Sequence, residues 1–158
     1  MKTCFAPLVD KNTKVLILGS FPGEASLKKE EYYGHPKNQF WLLLESMTKE
    51  QLHNRPYKEK KEKLKKQYIG LWDIYATCTR KGSLDINIKN AQHNELKELL
   101  KKYPQIELIC CNGKTAAKGK KELQEQEIKV LVLPSSSPAH TMPFQEKVKA
   151  WQQIQEYL

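Results

Sequence analysis

The chain has 158 residues, a length that suits one domain, residues 1–158, and lets roughly two-thirds of the unfolded surface be buried around a core. Lys and Arg number 27 against 18 Asp and Glu, a formal charge of +9 with pI ≈ 9.3, so a polyanionic partner competes with the plainer reading of a well-solvated basic surface. No stretch reaches the ~18 apolar residues of a membrane span, and the opening MKTCFAPLVDKNTK carries no signal-peptide core, which excludes a membrane role and makes a cytoplasmic protein the expectation.

Taken in chain order, the first element is the apolar run VLILG at 15–19, which reads as a strand buried on both faces. A long polar segment follows to Phe40 and Trp41, where an apolar helix begins. YKEKKEKLKKQY at 57–68 reads as a solvated helix of mixed charge. IGLWDIYA at 69–76 is a second buried strand. Leu96, Leu99, Leu100 and Tyr103 follow the i, i+3, i+4, i+7 spacing of a helix with one core face. IELICCNG at 106–113 and VLVLP at 130–134 supply two more strands, and Phe144, Val148, Trp151 and Leu158 form a terminal helical stripe. Strands alternating with helices predict an α/β protein of three α/β/α layers around a central, mainly parallel four-stranded sheet with right-handed crossovers. Cys4 and Cys78 stand alone, Cys110 and Cys111 lie in an apolar run, and no CxxC pair occurs; reduced, buried thiols are expected and no metal.

A parallel sheet of this kind builds its site beyond the carboxyl ends of the strands. That places attention on the loop from Ser20, the region from Asp73 to Arg80, Asn112-Gly113-Lys114, and the loop Ser135 to Pro143. The first of these, GSFPGEASLKKEEYYGHPKNQFW at 19–41, is long for a structural connector and carries Tyr32, Tyr33, His35 and Asn38. The last, LPSSSPAHTMP at 133–143, offers Ser135, Ser136 and Ser137, the rigidifying Pro138 and one histidine, His140. Hydroxyls and backbone N–H groups of this type commonly hold DNA phosphates, although a Ser/Pro turn capping a helix has the same composition. Gly-Lys-Thr at 113–115 lacks the upstream glycine spacing of a phosphate loop, so Lys114 is read as a helix-start residue and not as part of a nucleotide-triphosphate site.

GSFPG, YYGHPKNQFW and SSSPAH, in this order and at these positions relative to the strands, resemble the uracil-DNA glycosylase superfamily over nearly the whole chain. The wording GSFPGEAS and the SSSPAH loop are most similar to its hypoxanthine branch. The resemblance implies a monofunctional DNA-repair enzyme that flips a deaminated base, hypoxanthine being favoured, out of double- or single-stranded DNA. It would then hydrolyse the N-glycosidic bond without a cofactor and as a monomer. One position departs from the family pattern: Phe21 stands where most members carry an Asn or Asp that orients the attacking water. In the hypoxanthine branch that duty falls to the Asn of the HPxN segment, here Asn38; the mismatch branch holds a similar Asn in another role. Asp73 occupies the place of a base-reading Asn. It accepts hydrogen bonds when ionised and, if burial protonates it, also donates one. Met142 corresponds to a wedge that relatives insert into the vacated stack, though a core-filling Met is the competing reading.

A base must leave the duplex before its glycosidic bond is reachable. Phe21 with Tyr32 or Tyr33 would sandwich it, and Asn38 would place the water. His140 would act near the leaving group or adjacent phosphate, while Ser20, Lys114 and the serine loop would hold the backbone. Uracil or a mismatched thymine is the nearest alternative substrate. A non-catalytic nucleic-acid-binding domain is kept open by Phe21, and a free-nucleoside hydrolase fits the fold but not the charge.

Overall fold

The computed structural model describes residues 1–158. A two-residue strand, β1 (Lys2–Thr3), precedes β2 (Val15–Gly19), all five residues of which are buried. Then come α1 (Glu24–Lys29), α2 (Phe40–Thr48), α3 (Tyr57–Lys66), β3 (Ile69–Asp73), β4 (Tyr75–Thr79) and β5 (Lys89–His93). The chain closes with α4 (Leu96–Lys102), β6 (Leu108–Asn112), α5 (Lys120–Gln124), β7 (Lys129–Leu133) and α6 (Phe144–Trp151), the last running on into a 3-10 turn at Gln152–Tyr157.

The four predicted apolar runs form one parallel sheet in the order β3-β2-β6-β7. Val15 pairs with Ile69 on one side and with Leu108 on the other, and Leu108 pairs onward with Lys129. Because strand residues alternate between faces, Val15 and Ile17 pack with Leu43, Leu44, Val148 and Trp151 of α2 and α6. Leu16 and Leu18 face the other way, toward Leu96, Leu99 and Leu123 of α4 and α5. This two-sided core is the physical reason the strands read as continuous apolar runs. The lysine-rich α3 buries only Leu64, as its mixed charge requires.

Two features differ from the sequence reading. The run at 69–76 is two strands: at Ile74 the chain turns, its N–H donating to Gly19 O and that of Tyr75 to Ser20 O. From there β4 joins a separate antiparallel sheet, β1-β4-β5. The loop after β2 contains α1, which starts beyond Pro22-Gly23 and ends at Glu30 in the left-handed region. Glu24 in its first turn and Lys28 and Lys29 in its last complement the helix dipole.

Candidate active site

β2, β3 and β6 end side by side at Gly19, Asp73 and Asn112, and β7 leads directly into the serine loop. The connection from β2 reaches β3 on one side while β6 and β7 lie on the other, so the carboxyl edge opens into a crevice where the strand order reverses. A cavity of about 410 Å³ fills that crevice, within the ~300–1,000 Å³ typical of small-ligand sites. Gly19 is required by close approach: a Cβ there would come 2.6 Å from Asp73 Oδ1 and 2.9 Å from the Tyr33 hydroxyl, so both groups reach over the glycine.

Asn112 fastens two loops together. Its Nδ2 donates to Ser136 Oγ at 2.9 Å and to the Tyr33 hydroxyl at 3.3 Å, while its Oδ1 accepts the Ser136 N–H at 2.9 Å. On its other side Ser136 O accepts the N–H of Gln39 at 2.9 Å, which binds the serine loop to the start of α2. Lys147, fully buried on α6, donates to Gln39 Oε1 at 2.8 Å and to Ser137 O at 3.4 Å; burial lowers its ammonium from the ordinary range. Within the loop, Ser135 Oγ accepts the N–H of Ser137 and Ser137 Oγ accepts that of Ala139. Ser135 and Ser137 thus keep their O–H donors for a ligand, whereas the Ser136 hydroxyl is buried against Asn112.

Asn38 lines the cavity, and its Oδ1 accepts the N–H of Phe40 at 2.9 Å, capping the entry to α2. Only an oxygen can accept there, so the carboxamide orientation is determined: one Oδ1 lone pair and the Nδ2 group remain for a ligand. Tyr33 holds φ 55°, a left-handed conformation costing a side-chain-bearing residue roughly 1–2 kcal/mol. Its ring stacks on Phe40 at 3.9 Å and its hydroxyl accepts from Asn112, contacts that offset the cost. Tyr32 is buried in the core against Phe5, and its hydroxyl has no hydrogen-bond partner. Phe21, also buried, lies under the Arg80 guanidinium at 5.5 Å. Arg80 donates to Pro22 O and faces Asp85, whose Oδ1 accepts the Ser20 hydroxyl at 2.7 Å.

Asp73 is buried, and its Oδ2 has no partner. Burial, reinforced by the charge of Asp85 and partly opposed by Arg80, pushes its carboxyl up to about 7. A buried acid near neutrality and an orphaned tyrosine hydroxyl on one cavity wall are groups that a polar ligand edge would satisfy. No three His, Cys, Asp or Glu side chains converge as a metal site would need.

Of the residues singled out in the sequence, Ser20, Phe21, Tyr32, Tyr33, Asn38, Asp73, Ser135, Ser136, Ser137, Pro138 and His140 all line this cavity. Pro138 and His140 lie on its exposed rim. Lys114 and Met142 lie outside the lining: Lys114 is exposed before the 3-10 turn Ala116–Gly119, and Met142 is exposed two residues beyond His140. Sequence reasoning draws attention to Asn112 and to the stretch ending at Arg80 without giving either residue a role, and it passes over Asp85. Asn112 ends a predicted strand on the carboxyl edge, the one signal that pointed to it; Arg80 and Asp85 enter through a hairpin that apolar periodicity does not reveal.

A cleft at the switch point of a parallel sheet, walled by an amide, an acid that titrates near neutrality and aromatic rings, defines an enzyme acting on a small planar polar group. Residues 6–158 match the uracil DNA glycosylase superfamily, and the chain belongs to that family. A protein of Methanosarcina barkeri named hypoxanthine DNA glycosylase is 37% identical over 150 residues, covering 95% of each chain. A Methanosarcina acetivorans protein of the same name is 36% identical over 154 residues, covering 98% of each. The solution NMR structure of a M. acetivorans protein described as a candidate uracil DNA glycosylase superimposes with a TM-score of 0.90 at 35% identity, over 99% of this chain and 98% of that one. The fold, a four-stranded parallel sheet flanked by helices, is that of the family, and the family implies a DNA substrate.

Proposed function

We propose that the chain is a monofunctional DNA glycosylase that releases hypoxanthine from deaminated adenine sites, and that the cavity receives the flipped base. The observation that carries this reading is that Asp73 and Tyr32, two buried residues each with an unpartnered polar atom, belong to the lining of a cavity that Asn38 also lines. Hypoxanthine presents N1–H beside O6. A protonated Asp73 accepts from the first and donates to the second, and burial near a pKa of about 7 keeps a share of the carboxyl protonated at neutral pH. Phe21 and Tyr33 supply aromatic surface for the ring, Tyr33 being the more accessible.

Hydrolysis breaks the C1′–N9 bond, its electron pair leaving with the base, while a water oxygen bonds to C1′ and the proton it loses passes through solvent to the departing purine anion. Asn38 holds that water through the free lone pair of Oδ1 and through Nδ2. It is a positioning amide and not a base, which suits a transition state with positive charge already on the sugar. Ser135, Ser137 and His140 grip the flanking phosphate or the departing base with donors on a loop that Asn112 holds rigid. No lysine lines the cavity, and Lys147, whose amine is depressed, is buried and occupied with Gln39 and Ser137. This supports base release without strand cleavage. The proposal extends to a monomer that works in the cytoplasm, where its four free thiols would remain reduced.

Uracil is the second reading, favoured by the description of the M. acetivorans structure. Uracil offers the same N–H beside C=O edge on a smaller ring. Single-turnover excision from otherwise identical duplexes carrying inosine, uracil or a G·T mismatch separates the two. Inosine is expected to be processed fastest; release of uracil alone would transfer the assignment, and release of no base would leave a binding domain.

A further inference from the structure

Across the cavity mouth from the serine loop, the hairpin between β4 and β5 projects an apolar tip. Leu84 is 53% exposed and lines the mouth, and Ile86, on the 3-10 turn Asp85–Asn87, is 87% exposed and is the most exposed of the large hydrophobic side chains. An exposed isoleucine by itself means little. What sets this one apart is the rigidity of its support. The Ser83 hydroxyl accepts the N–H of Glu24 at 2.9 Å, Asp85 Oδ1 accepts from Ser20 at 2.7 Å, and Arg80, 7% exposed, lies 3.8 Å from the same carboxylate. Two of these contacts bind the hairpin to the first loop of the site, and Arg80 adds a third by donating to Pro22 O, yet the hairpin buries nothing at its end. Its surroundings are basic: Lys81 and Lys89 are exposed at its two ends, and Lys2 donates to Arg80 O. Asp85, its acid, is paired with Ser20 and Arg80, although its side chain stays partly exposed.

We infer that this hairpin is a second DNA-contacting element and that Ile86 is an apolar wedge, entering the base stack beside the flipped nucleotide while Lys81 and Lys89 meet the flanking phosphates. The inference rests on the glycosylase reading of the cavity. An apolar side chain that fills a vacated stack offsets lost stacking without hydrogen bonds, and a rigid base lets it do so without ordering a loop on binding. The basic flanks complement a phosphate backbone on both sides of the tip. Met142, the wedge expected from the sequence, lies outside the lining, two residues beyond His140, so the two side chains belong to different loops.

A wedge matters only where a stack exists. Wild type, Ile86→Ala and Met142→Ala are compared for single-turnover excision of inosine from a duplex and from the same strand alone. Ile86→Ala is expected to lose about tenfold on the duplex and less than about twofold on the single strand. Equal loss on both, or loss in Met142→Ala only, overturns the proposal. A second readout needs no chemistry: 2-aminopurine placed beside a stable tetrahydrofuran abasic analogue in a duplex. Wild type should change its fluorescence and Ile86→Ala should not, whatever lesion the enzyme excises; identical responses overturn the wedge. Failure of wild type to release any base, with the fluorescence difference intact, would instead remove the glycosylase assignment alone. Sedimentation of wild type and Ile86→Asp tests the other occupant, and a dimer that Ile86→Asp disperses would make the tip a self-association surface and overturn the proposal.

Discussion

At Asp73 burial holds a carboxyl near neutrality, and function and stability then respond to pH in the same direction. Its folded value of about 7 lies above the unfolded value, so the native state binds the extra proton. The resulting stabilisation is complete below about pH 4 and is lost as pH rises through about 7. Asp73→Asn keeps an acceptor and a donor at every pH. It is expected to raise Tm by a few degrees at about pH 8, to have little effect at about pH 4.5, and to abolish the decline in inosine excision above neutrality that wild type should show. Thermal unfolding and kcat/KM across that range check both limbs; a parallel decline in the variant would remove Asp73 from base reading. Asp73, like Asn38, was legible in the sequence as a residue at the carboxyl end of a strand or in a loop too long for a connector. Its unpartnered Oδ2 was not, because burial is set by Gly19 and Tyr33, which reach it from another strand and another loop.

The elements that hold the site are the loops, and their order comes from polar clasps more than from apolar burial. Asn112 is the centre of these clasps. Asn112→Ala leaves the Ser136 N–H buried without an acceptor, which costs roughly 1–3 kcal/mol, and it releases Tyr33 from its left-handed conformation. The expected outcome is a Tm several degrees lower and, at temperatures where the variant is folded, a fall in kcat of about tenfold or more from a loosened loop. Unchanged single-turnover kinetics would show that the serine loop keeps its shape without the clasp. Three strands of the parallel sheet were readable because each is an apolar run buried on two faces, whereas β7, at the edge of the sheet, is apolar in sequence but leaves Lys129 and Val132 exposed instead of burying both faces. The antiparallel sheet was not, since β5 is the polar, mostly exposed KNAQH and β1 has two residues, so both depend on distant partners and carry no period. The break at Ile74 was hidden by the continuing apolar run, and α1 by six residues too few to show a stripe.

For the molecule as a whole, the proposed function has two parts: the excess positive charge draws in DNA, and the cleft at the carboxyl edge of the sheet carries the chemistry. Phosphate contacts should make binding fall steeply with salt, independent of the lesion. Excision, by contrast, should rest on a few cavity side chains, so the two can be uncoupled. Asn38→Ala tests this most directly: duplex affinity and single-turnover hypoxanthine release are measured on one inosine duplex at one salt concentration, with Tm to register the lost hydrogen bond from the Phe40 N–H, worth about 1 kcal/mol. The account predicts affinity within about twofold of wild type and excision reduced by about a hundredfold or more. Excision retained in a folded, DNA-bound Asn38→Ala protein would contradict it.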